Sequence, residues 1–485
     1  MWHPIQQAWN ALAAIPHIGF WLAAFWASYV IALSVYIILQ KREPAATLSW
    51  LFSLALLPYL GFVIYYLLGP QKISRQRLRR PPRARRVYPD ADDSKGCDED
   101  ALLHRLAKAT TGFRAVSARD VRLLVDGGAT YAALLDDIRD AQSHIHLEYY
   151  IYQSDRSGSA LRDALIERAR AGVKVRLLMD AVGSSRTPPH FFAALVEAGG
   201  EISWFHPMRF RGVWKFWKRP WINLRTHRKI VVIDSRIGYT GGINITDEEN
   251  DGLRDDAYRD LHLRLSGDVV LELQQVFVED WIYATGQHDF ISDIARDLPA
   301  LAPGPVCAQV LSSGPDSDWE AIHRIHVSVI HAARHRLWLV TPYFVPGEAA
   351  LMALSSAALS GLDVRLVVPK MSDSRWVTLA ARSYYDRLMD AGVKIYEYGP
   401  RMLHSKALLK DDDVAIIGSA NFDNRSFRLN FEVSVLFEDA SVALELARQI
   451  EGEFAHAPRV RSPRPQAFLT ERLPEALARL FSPLL

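Results

Sequence analysis

Residues 225–244, RTHRKIVVIDSRIGYTGGIN, set a histidine and a lysine two positions apart at the head of an apolar strand. An aspartate, a glycine pair and an asparagine follow. Residues 402–421, MLHSKALLKDDDVAIIGSAN, repeat the arrangement. His227, Lys229, Asp234, Gly241 and Asn244 become His404, Lys406, Asp411, Gly418 and Asn421 when each number is raised by 177. One H-x-K on a strand is ordinary surface or core; two in register, with Asp, Gly and Asn matching, are not chance.

Alternate strand residues face the same way, so each His and Lys project together. The Asp five residues after the Lys has the opposite parity and is expected to hold the strand by bonding backbone or neighbouring side chains. Two copies brought together supply two imidazoles that titrate near neutrality, two ammonium groups and, from Asn244 and Asn421, amide donors. Such a pocket suits a phosphodiester. One His attacks phosphorus and forms a covalent phosphohistidine. The other protonates the leaving alkoxide and then deprotonates the incoming hydroxyl. The lysines and asparagines stabilise the equatorial oxygens, and no metal or cofactor is required. Each His needs an orienting partner for its other ring nitrogen. The first half offers Asp260, 33 residues after His227; the second offers Glu432, 28 residues after His404.

The elements that must position these residues are themselves duplicated. HIHLEYYIYQ (144–153) matches RLWLVTPYFV (336–345), AGVKVRLLMD (171–180) matches SGLDVRLVVP (360–369), and AGGEISWF (198–205) matches AGVKIYEY (391–398). Helical stretches separate them. Strands alternating with helices predict a mostly parallel sheet covered on both faces. The repeat is a domain long, so two fused α/β domains are expected, 106–295 and 296–485, sharing one site at their interface. A monomer then suffices for a complete site. His144 and His146 share a face but lack a third ligand, which argues against a metal there.

Upstream, residues 18–39 carry no charge over a bilayer's thickness, and a second uncharged run covers 48–68. Trp and Tyr lie near their ends, and Pro58 is tolerable within a span. A transmembrane hairpin over 1–70 follows. A signal peptide would want a basic lead, and the first 17 residues contain no Lys or Arg. Eight of the fifteen residues 72–86 are Lys or Arg, which places this side in the cytoplasm. Residues 71–105 form a basic, then acidic, linker. The formal net charge of +2 says little by itself. The two cysteines, Cys97 and Cys307, have no zinc spacing and imply no disulfide framework. Residues 205–229 interleave six Trp or Phe with basic residues. That pattern also occurs in nucleic-acid channels, but beside a membrane anchor it reads as facing lipid. The tail 471–481 has helical periodicity with basic ends, and the sequence leaves open whether it packs on the domain or lies on a membrane.

The motifs resemble the HxKx4D motifs of the phospholipase D superfamily. TPYFVP, AGVKIYEYGPRMLHSKALLKD, GSANFDNRSFRLNFEV, the terminal RLFSPLL and the N-terminal hairpin with its basic exit resemble the bacterial cardiolipin synthases of that superfamily. The resemblance implies two phospholipase D-like domains with pseudo-twofold symmetry, each a mixed sheet flanked by helices. It implies an inner-membrane enzyme, independent of metal, that moves a phosphatidyl group from one phosphatidylglycerol to another and releases glycerol. It makes His227, Lys229, Asp234, His404, Lys406 and Asp411 the catalytic set. Spacing does not choose the nucleophile; analogy with single-chain superfamily members favours His227. Phosphatidylglycerol and other anionic phospholipids are the expected partners, and nucleic acid is not. Phospholipase D hydrolysis, another acceptor alcohol, or a non-catalytic lipid clamp are the competing readings. TDEEN (246–250), where an aromatic is usual, and Tyr258, where Trp is usual, depart from the family pattern at the mouth of the site.

Overall fold

The computed structural model describes residues 16–39, 44–57, 61, 65, 97, 101–207, 223–296, 298, 303–317, 319–464 and 467–482. The N-terminal segment and the α/β body are separate units. In the former, α1 (Ile18–Leu39) is a 22-residue helix without a charged residue. At 1.5 Å per residue it is about 33 Å long, enough to cross a bilayer. α2 (Pro44–Leu56) follows, with proline at its first position, where a missing N–H costs nothing. Ile37, Leu54 and Tyr65 are buried against one another, with Leu33 and Trp50 beside them, so α1 and α2 pack together. Most other large side chains of α1, Phe20, Trp21, Phe25, Ile31 and Leu39 among them, point outward. The expected second span is thus described as a 13-residue helix plus Gly61 and Tyr65. Its remaining residues, the basic run 72–86 and most of the linker lie outside the described residues.

The body contains strands β1 (Ala115–Ala118), β2 (Asp120–Val125), β3 (His144–Tyr149), β4 (Lys174–Asp180), β5 (Glu201–Phe205), β6 (Ile230–Ile233), β7 (Ile237–Gly241), β8 (Leu261–Ser266), β9 (Val306–Ser313), β10 (Arg336–Val340), β11 (Phe344–Val345), β12 (Asp363–Pro369), β13 (Lys394–Tyr398), β14 (Ala407–Lys410), β15 (Val414–Gly418), β16 (Phe422–Asp423) and β17 (Glu432–Glu438). The first sheet has the order β2-β8-β7-β6-β3-β4-β5, the second β1-β9-β17-β15-β14-β10-β12-β13. Within each, only the three strands that alternate with helices are parallel: β3-β4-β5 and β10-β12-β13. In these two sheets the strands carrying and following the motifs, β6 to β8, β14, β15 and β17, pair antiparallel, while β11 and β16 form a separate parallel pair. The sheets are therefore mixed, and the mostly parallel sheet read from strand–helix alternation is corrected. The alternation ends at the motif, where two strands return as a hairpin.

Period-two alternation assigns the faces. Ile230 and Val232 point into the core between the sheets, whereas Val231 and Ile233 pack under the outer helices of the first half. Ala407 and Leu409 face the shared core, and Leu408 faces the outer helices of the second. Helices Val269–Thr285 and Ala440–Phe454 fill the layer between the sheets. The helix Leu102–Thr111 buries Leu103 and Ala107 against the second half, and β1 pairs antiparallel with β9. The chain entering the first half thus completes the sheet of the second. Cys97 and Cys307 meet as a disulfide with Cα atoms 5.2 Å apart, a pairing their isolated positions in sequence did not suggest.

Candidate active site

The motif histidines lie where the two halves clasp. The segment before β6 bridges to the segment before β17: His227 N–H donates to the Phe431 carbonyl at 2.8 Å, and Phe431 N–H to that of Arg225 at 2.8 Å. The segment before β14 does the same with the segment before β8. His404 N–H donates to the Arg259 carbonyl at 2.7 Å, and Arg259 N–H to that of Met402 at 2.8 Å. Each motif His is thereby set against the residue that follows in the opposite half, Glu432 or Asp260.

This exchanges the orienting partners. The sequence reading looked for each carboxylate in its histidine's own half. Instead His227 Nδ1 bonds Glu432 at 3.0 Å and His404 Nδ1 bonds Asp260 at 2.7 Å. All four groups are buried. With Nδ1 committed to a carboxylate in both rings, Nε2 is the nitrogen left for chemistry. The glycine pair of the first motif and the Gly-Ser of the second follow from this packing. A Cβ on Gly242 would stand 2.2 Å from the Asp260 carboxylate. At the matching position the Ser419 hydroxyl donates to the longer Glu432.

The two lysines share the pocket. Lys229 Nζ donates to the His227 carbonyl at 2.8 Å. Lys406 Nζ lies 2.8 Å from His404 Nδ1 and 3.4 Å from Asp260. Burial, then the Lys406 charge, bring Lys229 down to about 7. Burial lowers Lys406 as well, partly opposed by Asp260 and Glu249. Burial lifts Asp260 to about 6 despite Lys406. Burial would also raise Glu432, but His227 and Lys229 outweigh it and hold the carboxyl below its usual range. Burial lowers both histidines, His227 to about 4. A site of this kind, with two crowded lysines and desolvated rings, gains most from an anion.

Asp234 and Asp411 stand apart from the cluster. Asp234 accepts the N–H groups of Gln142, Ser143 and His144 at 2.8–2.9 Å. Asp411 accepts those of Arg334, His335 and Arg336 at 2.8–3.2 Å. Both take positive φ, 53° and 48°, at the turn after the motif strand, a region Asp tolerates better than most residues. Each lies five positions along the strand from its lysine, about 16 Å of extended chain. Opposite parity pointed to this placement, and the structure gives Asp234 and Asp411, which the resemblance would put in the catalytic set, no contact with the His/Lys cluster among the described residues.

The asparagines differ. Asn244 accepts from Ile151 N–H at 3.2 Å and donates both its own N–H and its side-chain amide to Glu249 at 2.7 Å. Asn421 N–H donates to the Ser426 hydroxyl at 3.2 Å, and its amide oxygen is buried without a partner among the described residues. Glu249 and Ser426 thus hold matching posts, 177 apart like the motifs, but only one is charged. Glu249 Oε1 lies 4.0 Å from His404 Nδ1. In the sequence Glu249 stands out only as part of TDEEN, a departure at the mouth of the site, with no role beside His404. Glu249, Asp260 and His404 offer atoms within 4.8 Å of one another, a spacing fit for a cation; the Lys406 ammonium already supplies that charge.

The sequence does not single out Tyr150 or Arg228, and it marks Tyr258 only as a departure at the mouth of the site. Tyr150 sets its ring 5.0 Å from that of His227, and Tyr258 sets its own 5.7 Å from that of His404. Arg228, between His and Lys but facing away, is fully buried. It bonds Asp280, Ser312 and the carbonyls of Glu432 and Ser313, riveting the halves beside the site. His144 and His146 are core groups, bonded to Gln274 and Ser235, with His146 stacked on Phe277. Most of the aromatic–basic stretch, 208–222, lies outside the described residues.

Comparison with known proteins agrees with this architecture. Residues 134–281 and 327–457 match the family described as "Cardiolipin synthase, PLD-like domain", and residues 23–70 match "Phospholipase_D-nuclease N-terminal". The chain is 38% identical to "Cardiolipin synthase 2" of Bacillus anthracis, covering 93% of this chain and 88% of that one. It is 36% identical to "Cardiolipin synthase" of Geobacillus kaustophilus, covering 98% and 97%. Among solved structures, the phosphatidylserine synthase of Haemophilus influenzae superposes with a TM-score of 0.59 at 13% identity, over 79% of this chain and all of that one, which establishes the fold alone.

Proposed function

The chain belongs to the cardiolipin synthase family of phospholipase D-like phosphatidyltransferases, and from that premise we propose that it joins two phosphatidylglycerol molecules into cardiolipin and glycerol at the His227/His404 pocket. The observation that carries this reading is the reciprocal pair His227–Glu432 and His404–Asp260, each spanning the halves beside a buried lysine. The Nε2 lone pair of His227 attacks the phosphorus of the first lipid. The bond from phosphorus to the glycerol headgroup breaks, and His404 gives its proton to the departing oxygen. Free glycerol leaves. His404 then takes the proton from a terminal hydroxyl of the second lipid, whose oxygen attacks phosphorus and releases His227. Lys229, Lys406 and the amides of Asn244 and Asn421 hold the non-bridging oxygens. Asp234 and Asp411 keep the motif strands in register. The site is complete in one chain and uses phospholipid, not nucleic acid. The body divides near residue 295 into its two halves, the apolar N-terminus anchors the chain in the bacterial inner membrane as a hairpin, and the body faces the cytoplasm.

The test is lipid mass spectrometry on purified protein in vesicles of phosphatidylglycerol alone, with His404→Ala as control. Cardiolipin and glycerol appear together, and only with the intact protein. Phosphatidic acid instead of cardiolipin would make water the acceptor and the protein a hydrolase; no product from any phospholipid mixture would leave the lipid-clamp reading.

A further inference from the structure

The C-terminal segment is folded inside out. A helical turn, Phe468–Arg472, runs into the helix Leu473–Leu480. A helix on a soluble body turns its apolar stripe inward. Here Glu475 and Ala478 are the buried residues, while Leu473, Leu477 and Leu480, spaced four and three apart, are exposed. Phe468, Leu469 and Phe481 extend the stripe, with Leu469 72% and Leu480 74% exposed. The orientation is fixed by polar bonds. Glu475 pairs with Arg464, which lies against the Tyr385 ring. The Ser482 hydroxyl meets that of Tyr384 at 3.1 Å, and its carbonyl accepts from Asn424 at 3.3 Å. Trp376, itself 55% exposed, packs edge-on against Phe481 at 5.9 Å.

The segment adjoins the rim of the site. Asn424 lies three residues beyond Asn421. The Trp376 helix begins just after Asp373, whose carboxylate holds the Tyr343 hydroxyl at 2.8 Å. Asp373 also acts electrostatically on Tyr258, the ring beside His404. Arg375, Arg472 and Arg479 lie exposed among the apolar residues. Leucine, phenylalanine and tryptophan flanked by arginine are the composition of a helix lying in the headgroup layer of an anionic bilayer.

We propose that Phe468–Phe481, together with Trp376, is an interfacial docking surface for an anionic bilayer, which seats the active-site rim against the membrane from which the lipid is drawn. This rests on the phosphatidyltransferase reading for its purpose but not for its detection. A lipid substrate keeps its acyl chains in hydrocarbon while its phosphate enters the pocket. A rim dipping into the headgroup layer shortens the distance the headgroup must be lifted. α1 holds the chain to the membrane; the tail sets which face of the body meets it.

The test uses the full-length protein in phosphatidylglycerol vesicles. A polarity-sensitive fluorophore on Leu477→Cys shifts to the blue on reconstitution and is quenched by lipids brominated along the acyl chain. The same label on Leu359→Cys, exposed elsewhere in the body, does neither. The double variant Leu473→Glu/Leu477→Glu loses about tenfold in cardiolipin formation on vesicles while its turnover of a short-chain, monomeric phosphatidylglycerol is unchanged. A label that stays aqueous in vesicles overturns the proposal. So does equal loss on both substrates, or a shift that appears in detergent with rising protein concentration, which would make a second copy the occupant. Wild-type protein that docks its label but makes no cardiolipin from either substrate would sink the activity reading and leave the docking surface standing.

Discussion

Lys229 and Lys406 share one buried pocket, and their mutual repulsion acts on stability as well as on chemistry. Unfolded, Lys229 titrates near 10.4; folded, it titrates at about 7. Between those values the unfolded chain binds the extra proton, so the cost of the buried ammonium is full below pH 7 and fades as pH rises toward 10. Lys229→Met therefore abolishes turnover yet raises the melting temperature, by a few degrees at pH 6 and less at pH 9; differential scanning calorimetry at the two pH values reads this directly, and a lower melting temperature at pH 6 contradicts it. Glu249 is the residue that breaks the symmetry of the pair. It adds a carboxylate beside His404, where the other half has Ser426. His404 is faced by Asp260, Glu249, Lys406, Lys229, His227 and Tyr258. Among these Glu249 favours the protonated ring and the lysines oppose it. In Glu249→Gln the protonated form of His404 is lost at lower pH. The alkaline limb of the kcat/KM profile moves down, with activity at pH 8 falling about tenfold while KM changes little. An unmoved limb with a uniformly lower rate would reduce Glu249 to a prop for Asn244.

At the scale of elements, the parity of strand residues was the most productive reading. It placed His and Lys together and sent Asp234 and Asp411 to the far end of the motif strand, because alternation along an extended chain is local information. What it could not supply was the pairing of one half with the other. His227–Glu432 and His404–Asp260 each join residues more than 140 apart in sequence, through short bridges that no local pattern marks. The capture of β1 by the second sheet was hidden for the same reason: four small and apolar residues fit either edge. The Asp latches themselves are testable. Arg336, His335 and Arg334 N–H groups and Lys410 hold the Asp411 carboxyl below its ordinary range, against the burial that would raise it. Its contribution is present above the unfolded value near 3.9 and is lost as pH falls through the lower folded one. Asp411→Ala should cost about 1–3 kcal/mol at pH 7 in urea denaturation, with the deficit shrinking below pH 4 and kcat per folded molecule retained. A variant of full stability but no turnover would return Asp411 to the chemistry.

At the scale of the whole chain, two features make opposite statements about the side of the membrane on which the body lies. Eight basic residues in 72–86 directly follow the second apolar run, and a positive exit is retained in the cytoplasm. The Cys97–Cys307 disulfide belongs, on general grounds, to an oxidising compartment. On the proposed topology the charges act during insertion, before the body has folded and before residues 97 and 307 can meet, and they set the side. On that proposed topology the Cys97–Cys307 pair meets a reducing compartment, where it is held as two adjacent thiols that close to the disulfide on oxidation. Trypsin added to intact spheroplasts should accordingly leave the 54.8 kDa chain whole, and added to inverted membrane vesicles should cut it within 72–86. Maleimide present during lysis should label both cysteines, whereas protein purified in air should resist labelling until reduced. Cleavage in spheroplasts together with cysteines that refuse maleimide at lysis would place the body outside the cytoplasm. The basic run would then serve as a contact for anionic headgroups and not as the determinant of orientation.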